Sequence, residues 1–190
     1  MQKIREAVKL IKEGKVLVCP TDTVYGLVAD AANKKAVEKI FKIKKRKKEK
    51  PIPIFIRNLK QAKTLAQISK DQEKFLKKAW PGKVTAVLTR RQDTGSRGKK
   101  IYGIDKRTIA LRIPKYKLIN QLLEKVNCPL TGTSANISGK PASTKIKEVA
   151  SQFKNQKFQP DLIINEGNLK PSKPSKVIDL TSSKPKILRK

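Results

Sequence analysis

The chain contains no histidine. That excludes imidazole general bases, histidine-based triads and histidine metal sites. Cysteine is scarce: Cys19 and Cys128 stand far apart with no CxxC spacing, against a disulfide framework or a zinc cluster. Aromatic residues number only five Phe, three Tyr and one Trp, too few for interleaved base stacking. No apolar run reaches the roughly 18 residues of a membrane span. The opening MQKIREAVKLIKEGK has no apolar signal-peptide centre. Negative charge is also short, with 15 Asp plus Glu against 46 Lys plus Arg and a formal charge of +31. These absences predict a reduced, soluble, cytoplasmic chain with no resident metal and no membrane partner. The surplus charge predicts affinity for polyanions, nucleotides or RNA.

At 190 residues the chain fits a single domain spanning 1–190, long enough to bury a sizeable core. Ile4, Ala7, Val8 and Ile11 follow an i, i+3, i+4, i+7 pattern and predict an amphipathic helix stopped near Gly14. VLVC (16–19) reads as a buried strand, followed by PTDTVYGL as a turn-rich loop. Asn33 caps a helix that turns Ala36, Val37, Ile40 and Phe41 inward and runs into KIKKRKKEKP (42–51). PIPIFI (51–56) reads as an edge strand, because Pro51 and Pro53 donate no hydrogen bond. Ser69-x-x-Gln72 resembles a capping box for a helix reaching Trp80. VTAVLT (84–89), TIALRI (108–113) and DLIIN (161–165) read as strands, 115–126 as a helix, and the tail KVIDLT…KILRK as a hairpin. The stretch 92–107 reads as a charged, Gly-rich loop without an apolar pattern. Strands and helices alternate irregularly, which predicts a mixed, twisted α/β sheet with helices packed on it.

Two segments carry candidate chemistry. Lys44, Arg46 and Lys50 near a helix end offer a forked guanidinium and mobile ammonium groups to phosphates. The same run also reads as a solvated helix face, since i and i+2 diverge on a helix. TGTSANISGKPAST (131–144) offers hydroxyls, an amide and backbone N–H groups to an anion or a base, or is an ordinary Ser/Asn/Gly turn. It lacks P-loop spacing.

In order along the chain stand PTDTVYGL, IFKIKKRKKEKPIPIFI, WPGKVTAVL, TIALRIP, TSANISGKPAST and PSKVIDLT…ILR. Together they resemble the YrdC/TsaC family of L-threonylcarbamoyladenylate synthases, over roughly residues 4–189. The resemblance implies a YrdC/RibB-like fold with a basic concave cavity. It implies condensation of L-threonine, bicarbonate and ATP to threonylcarbamoyl-AMP with release of pyrophosphate, for t6A modification of tRNA. Mg²⁺ would be carried on the phosphates, and downstream t6A transfer proteins would receive the product. The absence of further sequence after Lys190 fits the short form, without an extra C-terminal domain.

The family's K-x-R and S-x-N signatures match Lys44, Arg46, Ser134 and Asn136, which the resemblance implies are catalytic and line one cavity. It assigns ATP contacts to Lys44, Arg46, Lys50, Thr108, Asn136, Ser143, Thr144 and Arg189. Threonine contacts fall on Thr23, Arg112, Ser134 and Ser175, with Thr21 and Tyr25 nearby. The chain departs from the family pattern at Asp22 (Glu is common), Lys47 (often Pro), Phe55 (often His), Gly132-Thr133 (usually Ala-Pro) and Lys176 (usually Thr). Two other functions stay open on the residues alone. One is a non-enzymatic, ribosome- or tRNA-associated RNA-binding module with weak, salt-sensitive affinity. The other is the related domain of carbamoyltransferases such as HypF, whose acylphosphatase-like and zinc-finger segments have no match here.

Overall fold

Helix α1 (Gln2–Lys12) buries Ala7 and Ile11 along the predicted stripe and ends where Gly14 turns left-handed at φ 78°. The computed structural model describes residues 2–91 and 100–190. The helices that follow are α2 (Lys34–Lys44), α3 (Leu59–Leu65), α4 (Lys70–Ala79), α5 (Lys117–Val126) and α6 (Ile146–Phe153). The strands are β1 (Leu17–Cys19), β2 (Gly26–Val28), β3 (Ile54–Phe55), β4 (Val84–Thr89), β5 (Thr108–Arg112), β6 (Leu130–Thr131), β7 (Thr133–Ser134), β8 (Leu162–Ile163), β9 (Lys176–Asp179) and β10 (Lys186–Arg189). No helix among the described residues is long and apolar enough to cross a membrane.

Among the described residues the strands form two mixed sheets, ordered β7-β2-β1-β8 and β10-β9-β4-β5-β3-β6. Parallel pairs (β1 with β8, β3 with β5, β4 with β9) stand beside antiparallel ones, as the irregular alternation predicted. The chain crosses from one sheet to the other at Gly132, between β6 and β7, and Asp30 bridges Leu130 beside that crossing. Three apolar clusters fill the layers. One joins the smaller sheet to α2 and α6 through Val18, Leu27, Ile40 and Phe153. A second backs the larger sheet with α3 and α4 through Ala62, Leu76, Leu88 and Leu111. A third packs α1 and α5 on Leu17, Val28, Phe55 and Leu130.

Local signals predicted the caps. Asn33 accepts from Ala36 N at 3.1 Å, and Ser69 with Gln72 forms both halves of a capping box. The terminal hairpin is present as β9 and β10.

Three expectations change. PIPIFI is not an edge strand: β3 lies between β5 and β6. Only Ile54 and Phe55 join the ladder, so neither proline has to donate, and the Pro53 carbonyl accepts from Gly132 N at 2.7 Å. The end of PTDTVYGL is already strand, because Gly26 and Leu27 pair with Cys19 and Val18. Of the stretch 92–107, residues 92–99 lie outside the described residues; Ile101 is buried in the second cluster, and Gly103 O accepts from Ile52 N at 2.7 Å.

Candidate active site

Between the sheets lies a cavity of about 420 Å³. Thr23, Arg46, Lys50, Arg112, Ser134, Ser175 and Arg189 all line it, though they come from distant parts of the chain. Lys44 and Asn136 are buried outside its lining, packed against Ser134. Thr108, Ser143 and Thr144 also lie outside the lining. Thr108 shares a strand face with the lining residues Ala110 and Arg112. Ser143 Oγ donates to Glu148 at 2.6 Å, and Thr144 O accepts from Leu169 N.

The end of α2 sets the basic turn. Lys45 adopts the left-handed conformation at φ 50°, Lys45 N donates to Lys42 O, and Arg46 N donates to Phe41 O at 3.0 Å. This is a Schellman closure with lysine where glycine is usual. It stops the helix at Lys44, so Arg46 leaves the helical face. Arg46 then folds along its own turn: Nε donates to Lys50 O at 2.9 Å and Nη2 to Pro51 O at 3.0 Å. Two of its five N–H groups thus hold the turn that carries Lys50 and Glu49.

The far wall is a hydrogen-bonded chain. Thr21 Oγ1 donates to Val24 O at 2.6 Å. Its one proton is thereby used, so Thr23 Oγ1 donates to Thr21 Oγ1 at 3.0 Å and accepts from Arg112 Nη1 at 3.2 Å. Arg112 Nε donates to Gly82 O, and Nη2 pairs with Asp22 Oδ1 at 2.6 Å. The guanidinium also stands 5.8 Å from the centroid of the Phe55 ring. It is held on several sides and only 3% exposed.

The third wall is β9 with β10. Ser175 Oγ shares a 2.8 Å hydrogen bond with Thr85 Oγ1. Arg189 donates to Ser175 O through Nε and Nη2, at 2.9 and 2.7 Å, and to Ser175 Oγ at 3.2 Å. The β9–β10 register slips by one residue between Ile187 and Arg189, and both Leu188 and Arg189 reach the cavity.

The 134–140 loop is closed on itself. Ser134 Oγ donates to Asn136 Oδ1 at 2.6 Å, and Asn136 Nδ2 donates to Ile137 O and Lys140 O. Lys44 Nζ donates to Ser134 O at 2.5 Å, Asn136 O at 2.9 Å and Asn136 Oδ1 at 3.0 Å.

Electrostatically the site is a concentration of cations. Burial pulls the Arg46 pKa down, and the Arg189 guanidinium pulls it further. Burial likewise lowers Arg112, with Asp22 opposing and Arg189 adding to the shift. Burial lowers Arg189 itself. Guanidiniums lowered by burial and by the neighbouring Arg189 are short of negative charge. The only lining carboxylate among the described residues is Glu49.

Comparison with known proteins decides the family. A model of the Sua5/YciO/YrdC family, described as "Telomere recombination", matches residues 9–190. The chain belongs to the Sua5/YciO/YrdC family. The threonylcarbamoyl-AMP synthase of Pyrococcus abyssi is 38% identical over 193 residues, covering 98% of this chain and 53% of the relative. That of Bacillus subtilis is 36% identical over 149 residues, covering 78% of this chain and 42% of the relative. A crystal structure of P. abyssi Sua5 complexed with L-threonine matches with a TM-score of 0.86 at 35% identity, covering 99% of this chain and 54% of that one. The chain thus spans about half the length of these Sua5/YciO/YrdC relatives.

Sequence reasoning missed several residues that line or brace this Sua5/YciO/YrdC cavity. Thr85, which orders Ser175, lies inside an apolar strand pattern with no signal of its own. Asp22 stood out only as a departure, yet it is the ion-pair partner of Arg112. Gly132 and Phe55 also stood out only as departures, and both line the cavity.

Proposed function

We propose that residues 1–190 act as one catalytic unit, a threonylcarbamoyl-AMP synthase that condenses L-threonine, bicarbonate-derived CO2 and ATP. The carrying observation is the convergence of Arg46, Arg112 and Arg189 on one 420 Å³ cavity, with the Thr23, Ser134 and Ser175 hydroxyls on its walls. The kinship with synthases of that name supports the same reading.

The reaction crowds anions together. The threonine amine attacks CO2, forming an N–C bond and releasing a proton. A carbamate oxygen then bonds to the α-phosphorus as the bond to the β-phosphate oxygen breaks, and pyrophosphate leaves with the electron pair. Fixed cations that need no reorganisation are the expected catalyst for such charge development. Arg112, held by Asp22, Thr23 and Gly82, suits the substrate carboxylate. Arg46, Lys50 and Arg189 suit the triphosphate. Mg²⁺ belongs to the nucleotide substrate: one lining carboxylate does not build a resident metal site. The product is destined for tRNA t6A modification through downstream transfer proteins. The stretch 34–50, with ten Lys/Arg against two Glu, adds weak, salt-sensitive RNA affinity.

The test is pyrophosphate release from ATP with threonine and bicarbonate omitted in turn. Release requires both, and serine substitutes poorly. Release indifferent to threonine sinks the reading.

A further inference from the structure

Lys44 belongs to the K-x-R pair, yet the structure gives its ammonium a different set of partners from those of Arg46. The side chain is 2% exposed and is absent from the cavity lining. An ammonium has three donors. All three are used, on Ser134 O, Asn136 O and Asn136 Oδ1. Its backbone joins the same contact, because Lys44 O accepts from Ser138 N at 2.8 Å. Asn136 is equally consumed: Oδ1 accepts from Lys44 and Ser134, and Nδ2 donates twice inside the loop.

We propose that Lys44 is a positioning residue, a buried charged pin that holds the 134–140 loop in shape before any ligand arrives, and that it is not itself a phosphate ligand. The part of this that concerns nucleotide binding rests on the synthase reading; the part that concerns the loop does not.

Two further features support it. Ser138 Oγ is buried with no hydrogen-bond partner among the described residues, which carries a desolvation cost. A loop carrying that cost needs strong bonds elsewhere, and charge-assisted bonds from one ammonium to three oxygens supply them. Moreover, a cation bound only to neutral acceptors has no counter-charge. Burial, and then the neighbouring Arg46 guanidinium, lower the Lys44 pKa to about 7. Arg46 is the charged group acting on it, and the facing loop residues Ser134 to Ser138 are uncharged. A solvated lysine stays charged to about 10.4, so ordering the loop around Lys44 releases a proton between that value and about 7, and the ordered loop gains stability as pH rises through this window.

The experiment measures amide exchange at Ala135, Asn136, Ser138 and Lys140, relative to intrinsic rates, in ligand-free protein. Lys44→Met is expected to lower protection there at least tenfold while β4 and β5 keep theirs. Its ATP affinity, read by calorimetry, should weaken at least tenfold, with partial recovery in Lys44→Arg. In the wild type, loop protection should rise as pH rises through the Lys44 titration, because opening the loop takes up a proton there. Asn136→Asp, which gives the ammonium a counter-charge, should move that midpoint upward. Unchanged loop protection in Lys44→Met, whether or not ATP affinity falls, overturns the proposal; if affinity alone falls, Lys44 is a phosphate ligand. Should Lys44→Met fail to fold, the wild-type and Asn136→Asp titrations decide, and pH-independent loop protection overturns it. Threonine-independent pyrophosphate release would overturn the synthase reading and leave the exchange result standing.

Discussion

The Phe55 ring lies across Gly132: a β-carbon built on Gly132 would stand 2.6 Å from both Cδ1 and Cε1 of Phe55. These two departures from the family pattern are therefore one packing event. Gly132 is also the point where the chain leaves the larger sheet for the smaller, and Phe55 faces Arg112. Gly132→Ala should cost about 1–3 kcal/mol through overpacking. Urea unfolding is the measurement. Phe55→Leu in the same chain should recover part of the loss, giving a coupling energy of at least about 0.5 kcal/mol. Additive effects would show that the ring yields freely.

Asp22→Ala should loosen and destabilise at once. The Arg112–Asp22 pair is 2.6 Å long, with side chains 4% and 10% exposed. Removing one member leaves a buried guanidinium without its counter-charge, worth about 3–5 kcal/mol. In folded protein at low temperature, the threonine KM should rise about tenfold or more while the ATP KM moves less than about twofold. Equal movement of both would deny Arg112 its place at the amino-acid end.

Arg46→Ala should cut turnover roughly 10²-fold or more, the scale of losing a preorganised donor to developing phosphate charge. Because Arg46 also braces the Lys50 and Pro51 carbonyls, Arg46→Lys should recover little: a point charge does not reproduce the fork. Lys47→Ala is the control, exposed and outside the cavity, and should stay within about twofold. A matching loss in Lys47→Ala would mean that general charge, and no particular contact, drives turnover.

RNA should bind without sequence preference. The exposed face of α2 and its turn carries Lys34, Lys35, Lys42, Lys45, Lys47, Lys48 and Lys50. Each phosphate neutralised releases a counterion, so affinity for tRNA and for an unrelated duplex of equal length should fall together as salt rises. Filter binding across a salt series is the check. A preference for one tRNA that survives about 0.3 M salt would point to dedicated recognition.

What the sequence determined by itself was local. The α1 stripe, the Asn33 cap, the Ser69–Gln72 capping box and the β9–β10 hairpin each depend on partners within a few residues, so their signals sit in short windows. Ordered motifs also marked segments that line or brace the cavity. Only the tertiary structure decided what those segments do to one another. The two-residue strands β3, β6 and β7 exist because neighbouring strands pair with them, and nothing in Ile54-Phe55 alone specifies an interior position. Lys44 meets Asn136 across 92 residues, and Arg112 meets Asp22, like Thr85 and Ser175, across 90. A lysine in a basic run looks like a solvated charge until burial strips its water and leaves three oxygens as its whole environment. That change of solvent, which no residue encodes alone, separates the surroundings of Lys44 and Arg46 two positions apart.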